Sequence, residues 1–298
     1  MGQGRGVLIG VASSALGGTA AAVTRYLVGD ADPITLAILR WGIGFLALLP
    51  VALILRVRWP ARADWPAVAA LGLAFFALFF VLYNVALGLT TVARASLALS
   101  TLPLQTMLMG ALLGVEPLTA RKSAGVAIAM LGVAAALAAG LADAPPGAWR
   151  GELIMLAATL CMAAYNVWSR PFMARSSALG FLAVGMGAGA AALVVVGAAG
   201  GSIAALAAFG RAQWIAGVYL GLFGGALAFI LWVLALERAS PTRVANTMTV
   251  NPLAAGLLAT QLVGEPITAE LVLGLVAVGA GIWIATGEAA PQRGRSSA

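Results

Sequence analysis

The chain repeats itself at a spacing of 149 residues. The positions that match between the two copies are Arg94 and Arg243, Pro103-Leu104 and Pro252-Leu253, Glu116-Pro117-Leu118-Thr119 and Glu265-Pro266-Ile267-Thr268, Gly125 and Gly274, and Gly132 and Gly281. A repeat of this length is the signature of a duplicated structural unit, so it decides the architecture before any single motif does. We therefore expect two copies of one fold.

Each copy consists mainly of long apolar segments. Only 9% of the residues are charged, against about 25% in soluble domains, so the chain is predicted to lie in a membrane. A helix needs about 20 apolar residues to cross a bilayer core of roughly 30 Å, and it satisfies every backbone polar group where water is absent. The predicted spans are residues 6–28, 33–55, 66–88, 92–114, 119–139, 151–171, 177–199, 212–235, 241–263 and 268–287.

The basic residues predict how these spans are oriented, because cytoplasmic loops carry an excess of Lys and Arg. With a cytoplasmic N-terminus, twelve basic residues lie inside the cell and four lie outside it, so both termini are predicted to be cytoplasmic. The net charge of +7 is spread singly or in short clusters between the spans. Without a basic face, we do not expect nucleic acid as a partner.

Five spans in each copy is an odd number, so the second copy must enter the membrane from the opposite side. The predicted fold is therefore an all-α membrane protein with ten transmembrane helices in two inverted five-helix repeats, 1–143 and 144–290, and a disordered cytoplasmic tail, 291–298. Inverted repeats place a binding site at mid-membrane in alternating-access transporters. The alternative is a duplication that builds a solid bundle with no pathway.

An arginine in the second span, in Leu39-Arg40-Trp41, and the paired turns that begin at Glu116 and Glu265 resemble the drug/metabolite transporter superfamily. Within it the chain is most similar to EamA-type exporters, over nearly its whole length. Its Ala- and Gly-rich composition resembles the bacterial amino-acid exporters of the YddG type. The resemblance implies export across the bacterial inner membrane through a cavity lined by spans 1, 3, 4, 6, 8 and 9, with spans 5 and 10 at the periphery.

The ten acidic residues all fall in loops or at span ends, so no carboxylate is predicted at mid-membrane. A charge there is costly and usually marks an ion or proton pathway. We therefore expect facilitated movement, with proton coupling through water and substrate as the alternative. Arg40 is the charged residue inside a span, and its stem is long enough to reach the membrane interface. We expect a structural role for Arg40, with substrate contact as the alternative.

Neutral polar and aromatic side chains inside the spans are the remaining candidates for a binding site. A buried amide without a partner is costly, so these groups either bond between helices or face water. Amides and hydroxyls suit the ammonium and carboxylate of a zwitterion, and aromatic rings suit apolar or cationic groups. The predicted substrate-binding residues are Tyr83, Asn84, Ser100, Gln105, Tyr165, Asn166, Trp168, Trp232, Asn246, Thr249 and Asn251.

Pro103 and Pro252 occupy equivalent positions in the two copies. Proline removes a backbone donor and clashes with the preceding turn, so each is predicted to kink its helix. Freed backbone groups are tolerated in a membrane where they meet protein or a wet cavity. We expect both prolines to act as hinges near the centre of the bundle, although prolines are common in membrane helices.

The sequence thus predicts an exporter of amino acids and related small neutral or zwitterionic metabolites. It would work as a monomer in the lipid bilayer, by alternating access through an uncharged, aromatic-lined cavity. The alternatives are export of drugs, organic cations or purines by the same fold, or a channel or lipid scramblase. The chain has no histidine, a single cysteine and no carboxylate pair inside a span, so we expect neither an enzyme nor a metal or other cofactor.

Overall fold

The computed structural model describes residues 2–115, 119–139 and 144–286, and helices are the only regular secondary structure in these ranges. We number the long helical stretches in chain order. They are α1 Gly2–Leu27, α2 Pro33–Ile54, α3 Arg62–Leu89, α4 Val92–Leu112, α5 Ala120–Ala139, α6 Ala148–Arg175, α7 Ala178–Gly200, α8 Arg211–Arg238, α9 241–262 and α10 Ala269–Thr286. A short 3-10 helix, Ser202–Ala208, precedes α8.

The chain is an all-α membrane protein. In its described part, seven helices are long and apolar enough to cross a bilayer, namely α1 to α4 and α6 to α8. The remaining stretches contain shorter apolar helices in α5 and α10, and an interrupted helix in α9. The helix ends fall within about four residues of the predicted spans. The predicted tail 291–298 and the first turn, 116–118, lie outside the described residues.

Capping side chains define where several helices begin. The Asp32 carboxylate accepts the backbone N–H of Ile34 at 2.9 Å and of Thr35 at 3.2 Å, and Pro33 occupies the first turn, where no amide proton is needed. Thr91 caps α4, and Ser240 caps α9. These two hydroxyl caps lie 149 residues apart, so the local start signal is the same in both copies.

Four helices are interrupted near their middles, in equivalent places of the two copies. Helices α3 and α8 contain π-helical segments, Leu73–Phe79 and Leu220–Leu227, in which the wider turn changes the backbone hydrogen bonding. Helix α4 breaks between Leu99 and Leu102, just before Pro103. Helix α9 narrows to a 3-10 turn at Thr247–Val250, just before Pro252. Proline at these points cannot continue the α-helical hydrogen-bond ladder, which explains both breaks.

The helices pack so that each copy contacts the other. Helix α1 packs on α8 and α9, and α6 packs on α3 and α4. Helix α2 lies between α7 and α8. Helices α5 and α10 pack mainly against each other, where a Cβ on Gly132 or Gly281 would overlap the facing helix. Small residues allow this close approach of membrane helices.

An aromatic cluster fills the space between α2, α3, α6 and α8. The Trp41 ring centroid lies 4.8 Å from Phe76, 4.4 Å from Phe80 and 5.0 Å from Phe229, all in edge-to-face geometry. Phe75 stacks on Tyr165 at 4.6 Å. Such contacts add to the burial of the large rings. The centre of the bundle is therefore densely packed on this side.

Candidate functional site

A small cavity lies beside the aromatic cluster, where helices of both copies meet. Helices α1, α3, α4, α6, α8 and α9 line it, together with one residue of α2. These are the six spans that the family resemblance implies, with α2 in addition. The polar lining consists of Ser13, Ser14, Arg40, Tyr83, Trp232 and Asn251.

The cavity is too small for a metabolite as it stands. The space open to the centres of water molecules is about 30 Å³. One water needs at least about 10–15 Å³ of such space, so the cavity has room for one or two water molecules. The surrounding helices must therefore part before a solute as large as an amino acid can enter.

Arg40 corrects two expectations from the sequence. Its side chain is buried inside the bundle and does not extend along α2 to the surface: the residue is 4% exposed, and Nε and Nη2 donate to the Gly224 carbonyl at 3.1 Å and 2.9 Å. Gly224 belongs to the π-helical part of α8, and the guanidinium also lies 4.6 Å from the centre of the Phe80 ring. The cavity is not uncharged either, because Arg40 forms part of its wall.

Three of the predicted binding residues line the cavity. Tyr83 and Trp232, which occupy equivalent positions in the repeat, are 4% and 1% exposed. Asn251 is buried as well, and its Nδ2 donates to the backbone carbonyl of Ser14 at 3.4 Å. Its Oδ1 has no hydrogen-bond partner among the described residues. The cavity therefore offers an acceptor on α9 as well as the cation on α2.

Two further predicted residues lie directly behind this wall. Asn166 accepts a hydrogen bond from Nε1 of Trp232 at 3.1 Å and so holds the indole that lines the cavity. Tyr165 belongs to the aromatic cluster and does not line the cavity. In the part of the chain that the structure describes, the Tyr165 hydroxyl and the Asn166 Nδ2 are buried without partners. Both residues support the wall from α6.

The structure does not bring the other predicted residues of α3 and α4 to the cavity. Asn84 donates to the Pro33 carbonyl at 2.8 Å and ties α3 to the start of α2. Ser100 donates to the Ser96 carbonyl at 2.9 Å within α4. Gln105 donates from Nε2 to Leu156 of α6 at 3.2 Å. These side chains hold backbone and helices together.

The last three predicted residues also lie away from the cavity lining. Thr249 donates to the carbonyl of Asn246 at 2.9 Å, within the break of α9. The Asn246 Oδ1 atom is buried with no partner among the described residues. Trp168 is 46% exposed on the surface of α6. Although Trp168 follows the buried Tyr165 by three residues, the 60° difference in direction around the helix moves it outside the bundle.

Ion pairs and hydrogen bonds connect neighbouring elements at both ends of the bundle. At one end, Arg25 Nε pairs with Glu265 Oε1 at 3.0 Å, and Glu265 Oε2 accepts the N–H of Val92 at 2.8 Å. At the same end, Arg94 Nε pairs with Glu152 Oε1 at 2.5 Å.

At the opposite end, Arg175 pairs with Asp64 at 2.8 Å. There, Glu237 accepts the N–H of Ala178 at 2.9 Å and joins α8 to α7. These ion pairs and hydrogen bonds lie at the helix ends, and the cavity lies between them.

Sequence reasoning missed much of the cavity wall. The missed residues are Ser13, Ser14 and Gly17 of α1 and the apolar Phe79, Phe80, Leu99, Met162, Ala228, Phe229 and Met248. Two signals could have found part of this set. Small residues recur along α1 at Gly10, Ser14 and Gly18, and α3 carries four phenylalanines between 75 and 80. Apolar residues such as Met162 carry no sequence signal that separates a cavity wall from a core.

A bundle of long apolar helices around a small polar and aromatic cavity defines the class of multi-pass membrane transport proteins. The chain belongs to the EamA-like transporter family, whose sequence model matches it twice, over residues 4–138 and 149–287. Membership in this family makes the chain a membrane transporter with a small-molecule substrate.

Individual relatives agree with this assignment. The chain is 30% identical over 237 residues to a "Probable terminal-alkyne amino-acid exporter" of Streptantibioticus cattleyicolor, covering 77% of this chain and 76% of that protein. It is 25% identical over 274 residues to an "Uncharacterized transporter" of Archaeoglobus fulgidus, covering 90% and 93%. A solved crystal structure shares the fold, with a TM-score of 0.70 at 24% identity over 95% of this chain and 97% of that one.

Proposed function

We propose that the protein exports amino acids and related small metabolites by alternating access. The single observation that carries this proposal is the central cavity, whose wall is built by residues of both copies of the repeat. A carrier needs a site that is reached from either side in turn, and an interface between two similar halves supplies it.

The proposed topology is ten spans in two inverted halves, with both termini in the cytoplasm of a bacterium and the chain working as a monomer in the inner membrane. Three observations support the division into two equivalent halves. The family model matches the chain twice. The bounds of α3 and α8 are offset by the repeat length of 149. Helix α1 packs on α8 and α9 in the way that α6 packs on α3 and α4.

Alternating access would require the contacts at one end to open while those at the other end hold. The Arg25–Glu265 and Arg94–Glu152 pairs join the two copies at one end. The side chains of Arg25 and Glu265 are 26% and 14% exposed, against 12% and 8% for Arg94 and Glu152, so the first pair can break at the lower cost during a transport cycle. Pro103 and Pro252, at the breaks of α4 and α9, are the proposed hinges.

The substrate class follows from the cavity wall and from one relative. Hydroxyl, amide and indole groups can hydrogen-bond a zwitterion, while Phe79, Phe229 and Met248 supply an apolar face. A relative at 30% identity is named as an amino-acid exporter, which supports amino acids as the substrate. The Arg40 cation in the wall disfavours the organic cations considered from the sequence, since like charges repel in a poorly solvated site.

Transport in a purified system tests this proposal. The protein is reconstituted into liposomes preloaded with one unlabelled amino acid, and uptake of the labelled form is followed for each of the common amino acids. We expect saturable uptake that is accelerated by the preloaded solute, as a carrier requires. Absence of uptake for every amino acid would reject the substrate class. Ion conductance that rises linearly with voltage would reject a carrier in favour of a channel.

A further inference from the structure

The guanidinium of Arg40 is buried inside the helix bundle without an opposite charge. None of the described residues that line the cavity is acidic. The partners of Arg40 are neutral: the Gly224 carbonyl and the rings of Phe80, Trp41 and Tyr83, at 4.6 Å, 5.5 Å and 5.9 Å. A buried charge normally persists only when it is paired, so the missing counter-charge needs an explanation.

A purely structural role explains the hydrogen bonds of Nε and Nη2 of Arg40 but not the burial of Nη1. One carbonyl takes both the Nε and the Nη2 donors, which ties α2 to the π-helical part of α8. The Nη1 atom is buried and has no hydrogen-bond partner among the described residues. Because arginine presents a planar fork of donors, an unused Nη1 beside Nη2 leaves an edge that fits two carboxylate oxygens.

The wall of the same cavity also carries an unused acceptor, on α9. Asn251 is 2% exposed, and its Oδ1 has no partner in the described part of the chain, whereas its Nδ2 is held by Ser14. An amide oxygen is a suitable acceptor for an ammonium group. The cavity therefore has a cationic side on α2 and an accepting side on α9, which is the polarity that an α-amino acid would complement.

We propose that Arg40 binds the carboxylate of the transported solute, with Asn251 accepting from its ammonium group. This inference rests on the proposed export function and narrows it to solutes that bear a carboxylate and an apolar side chain. The solute supplies the counter-charge that Arg40 lacks. A molecule of the same shape without the acid group leaves the guanidinium unpaired and is therefore excluded.

Four compounds that share the isobutyl side chain of leucine test the assignment on the unmodified protein. L-leucine carries both charged groups, L-leucinamide and isopentylamine lack the carboxylate, and 4-methylpentanoate lacks the amine. Ligand stabilisation of the purified protein is followed as a shift in unfolding temperature, because a ligand that binds only the native state raises it. We expect leucine to stabilise most, 4-methylpentanoate to stabilise less, and the two carboxylate-free compounds to have no effect.

Substitutions then locate the effect. Arg40→Gln removes the charge and is expected to weaken leucine binding about tenfold to a hundredfold, which is the usual loss when hydrogen bonds to a charged group disappear. Arg40→Lys keeps the charge without the fork and is expected to retain part of the affinity. Asn251→Ala should reduce the preference for leucine over 4-methylpentanoate. Arg150→Gln, which removes an exposed arginine outside the cavity, is the matched control.

The outcomes separate this inference from the proposed function. Stabilisation that requires both the carboxylate and Arg40 would support the binding site. If the liposomes then took up no amino acid, the site would stand and amino-acid export would be rejected. If leucinamide inhibits leucine uptake as strongly as unlabelled leucine does, amino-acid export stands and the carboxylate site is overturned. Equal stabilisation by the acid and the amide overturns it too, as does no stabilisation by either carboxylate. Since the ligand series uses the wild-type protein, the result does not depend on whether the Arg40 variants fold.

Discussion

Arg25 and Glu265 lie 240 residues apart in the chain and are joined by an Nε–Oε1 contact of 3.0 Å. Arg25 is near the end of α1, and Glu265 lies in the loop between α9 and α10. Glu265 also accepts the N–H of Val92 at the start of α4, while Arg25 donates to the Leu87 carbonyl of α3. Three helices and the loop between α9 and α10 are thus held together at one end of the bundle by a single pair.

Glu265→Gln should therefore favour opening at this end. An ion pair of this exposure contributes about 1 kcal/mol, which corresponds to a roughly fivefold change in the open population. Opening is measured as the labelling rate of Ser14→Cys in the cavity by an impermeant maleimide, in a Cys161→Ser background. The reagent is added on the membrane face where Arg25 lies. Arg211→Gln, exposed at the same end, is the control, and equal labelling rates in both variants would contradict a gating role.

Two tryptophans allow a matched test of the cavity wall. Trp232 is buried at the cavity and donates to Asn166, whereas Trp168 is 46% exposed on the surface. Trp232→Phe keeps most of the packing but leaves the buried Asn166 oxygen unpaired, at a cost of about 1–3 kcal/mol. We expect a lower rate of leucine exchange in liposomes for Trp232→Phe and an unchanged rate for Trp168→Phe. The reverse order would place the pathway along the surface of α6.

Close approach of α3 and α7 depends on a glycine. A Cβ on Gly72 would overlap the backbone of Gly185, and backbone atoms cannot move aside as a flexible side chain can. Gly72→Ala is expected to lower stability by about 1–3 kcal/mol, as overpacking does. Gly88→Ala is the control in the same helix, because its Cβ would meet only the Val28 side chain at 3.5 Å. Thermal unfolding in detergent compares the two, and equal unfolding temperatures would show that α7 can shift freely.

The start of α2 makes a pH-dependent contribution to stability. Burial alone would raise the pKa of Asp32, but hydrogen bonds from the Thr35 hydroxyl and from the amides of Thr35 and Ile34 outweigh it and lower that pKa. The carboxylate therefore stabilises the folded state above its unfolded pKa of about 3.9, and this stabilisation is lost as the pH falls through the lower folded value.

Asp32→Ala should cost about 1 kcal/mol at neutral pH, the usual loss of an N-cap. Asp32→Asn retains a capping oxygen and should cost less. The difference in unfolding temperature between wild type and Asp32→Asn should shrink as the pH is lowered below about 4, since the unfolded chain then binds a proton that the folded carboxylate takes up only at lower pH. A difference that stays constant down to pH 3 would contradict the contribution of the charge.

Much of the helical framework could be predicted from the sequence. The long apolar segments indicate the helices, because backbone N–H and C=O groups inside a membrane have no water to bond and must hydrogen-bond within the segment. The interruptions of α4 and α9 follow from Pro103 and Pro252 in the same way. The π-helical segments of α3 and α8 could not be predicted, because leucine, phenylalanine and glycine residues of this kind are equally common in regular membrane helices.

The site was less predictable, for a physical reason visible at Arg40. A long cationic side chain can extend along its helix to the interface or fold back to a neighbouring helix, and its own helix does not determine which. The choice depends on the Gly224 carbonyl, 184 residues away, and on the Phe80 ring. Helices that are apolar on all sides also give no periodic signal of which face is inward, so Trp168 and Tyr165 could not be distinguished.

The pairing of α5 with α10 has a consequence for how the molecule moves. Neither helix contributes a described residue to the cavity wall, and the two pack through Gly132 and Gly281 with their backbones close together. Such a seam can remain intact while the other helices separate, so it would serve as the pivot about which the halves turn. A disulfide engineered between Gly132→Cys and Ala277→Cys would then cross-link the two halves without stopping transport.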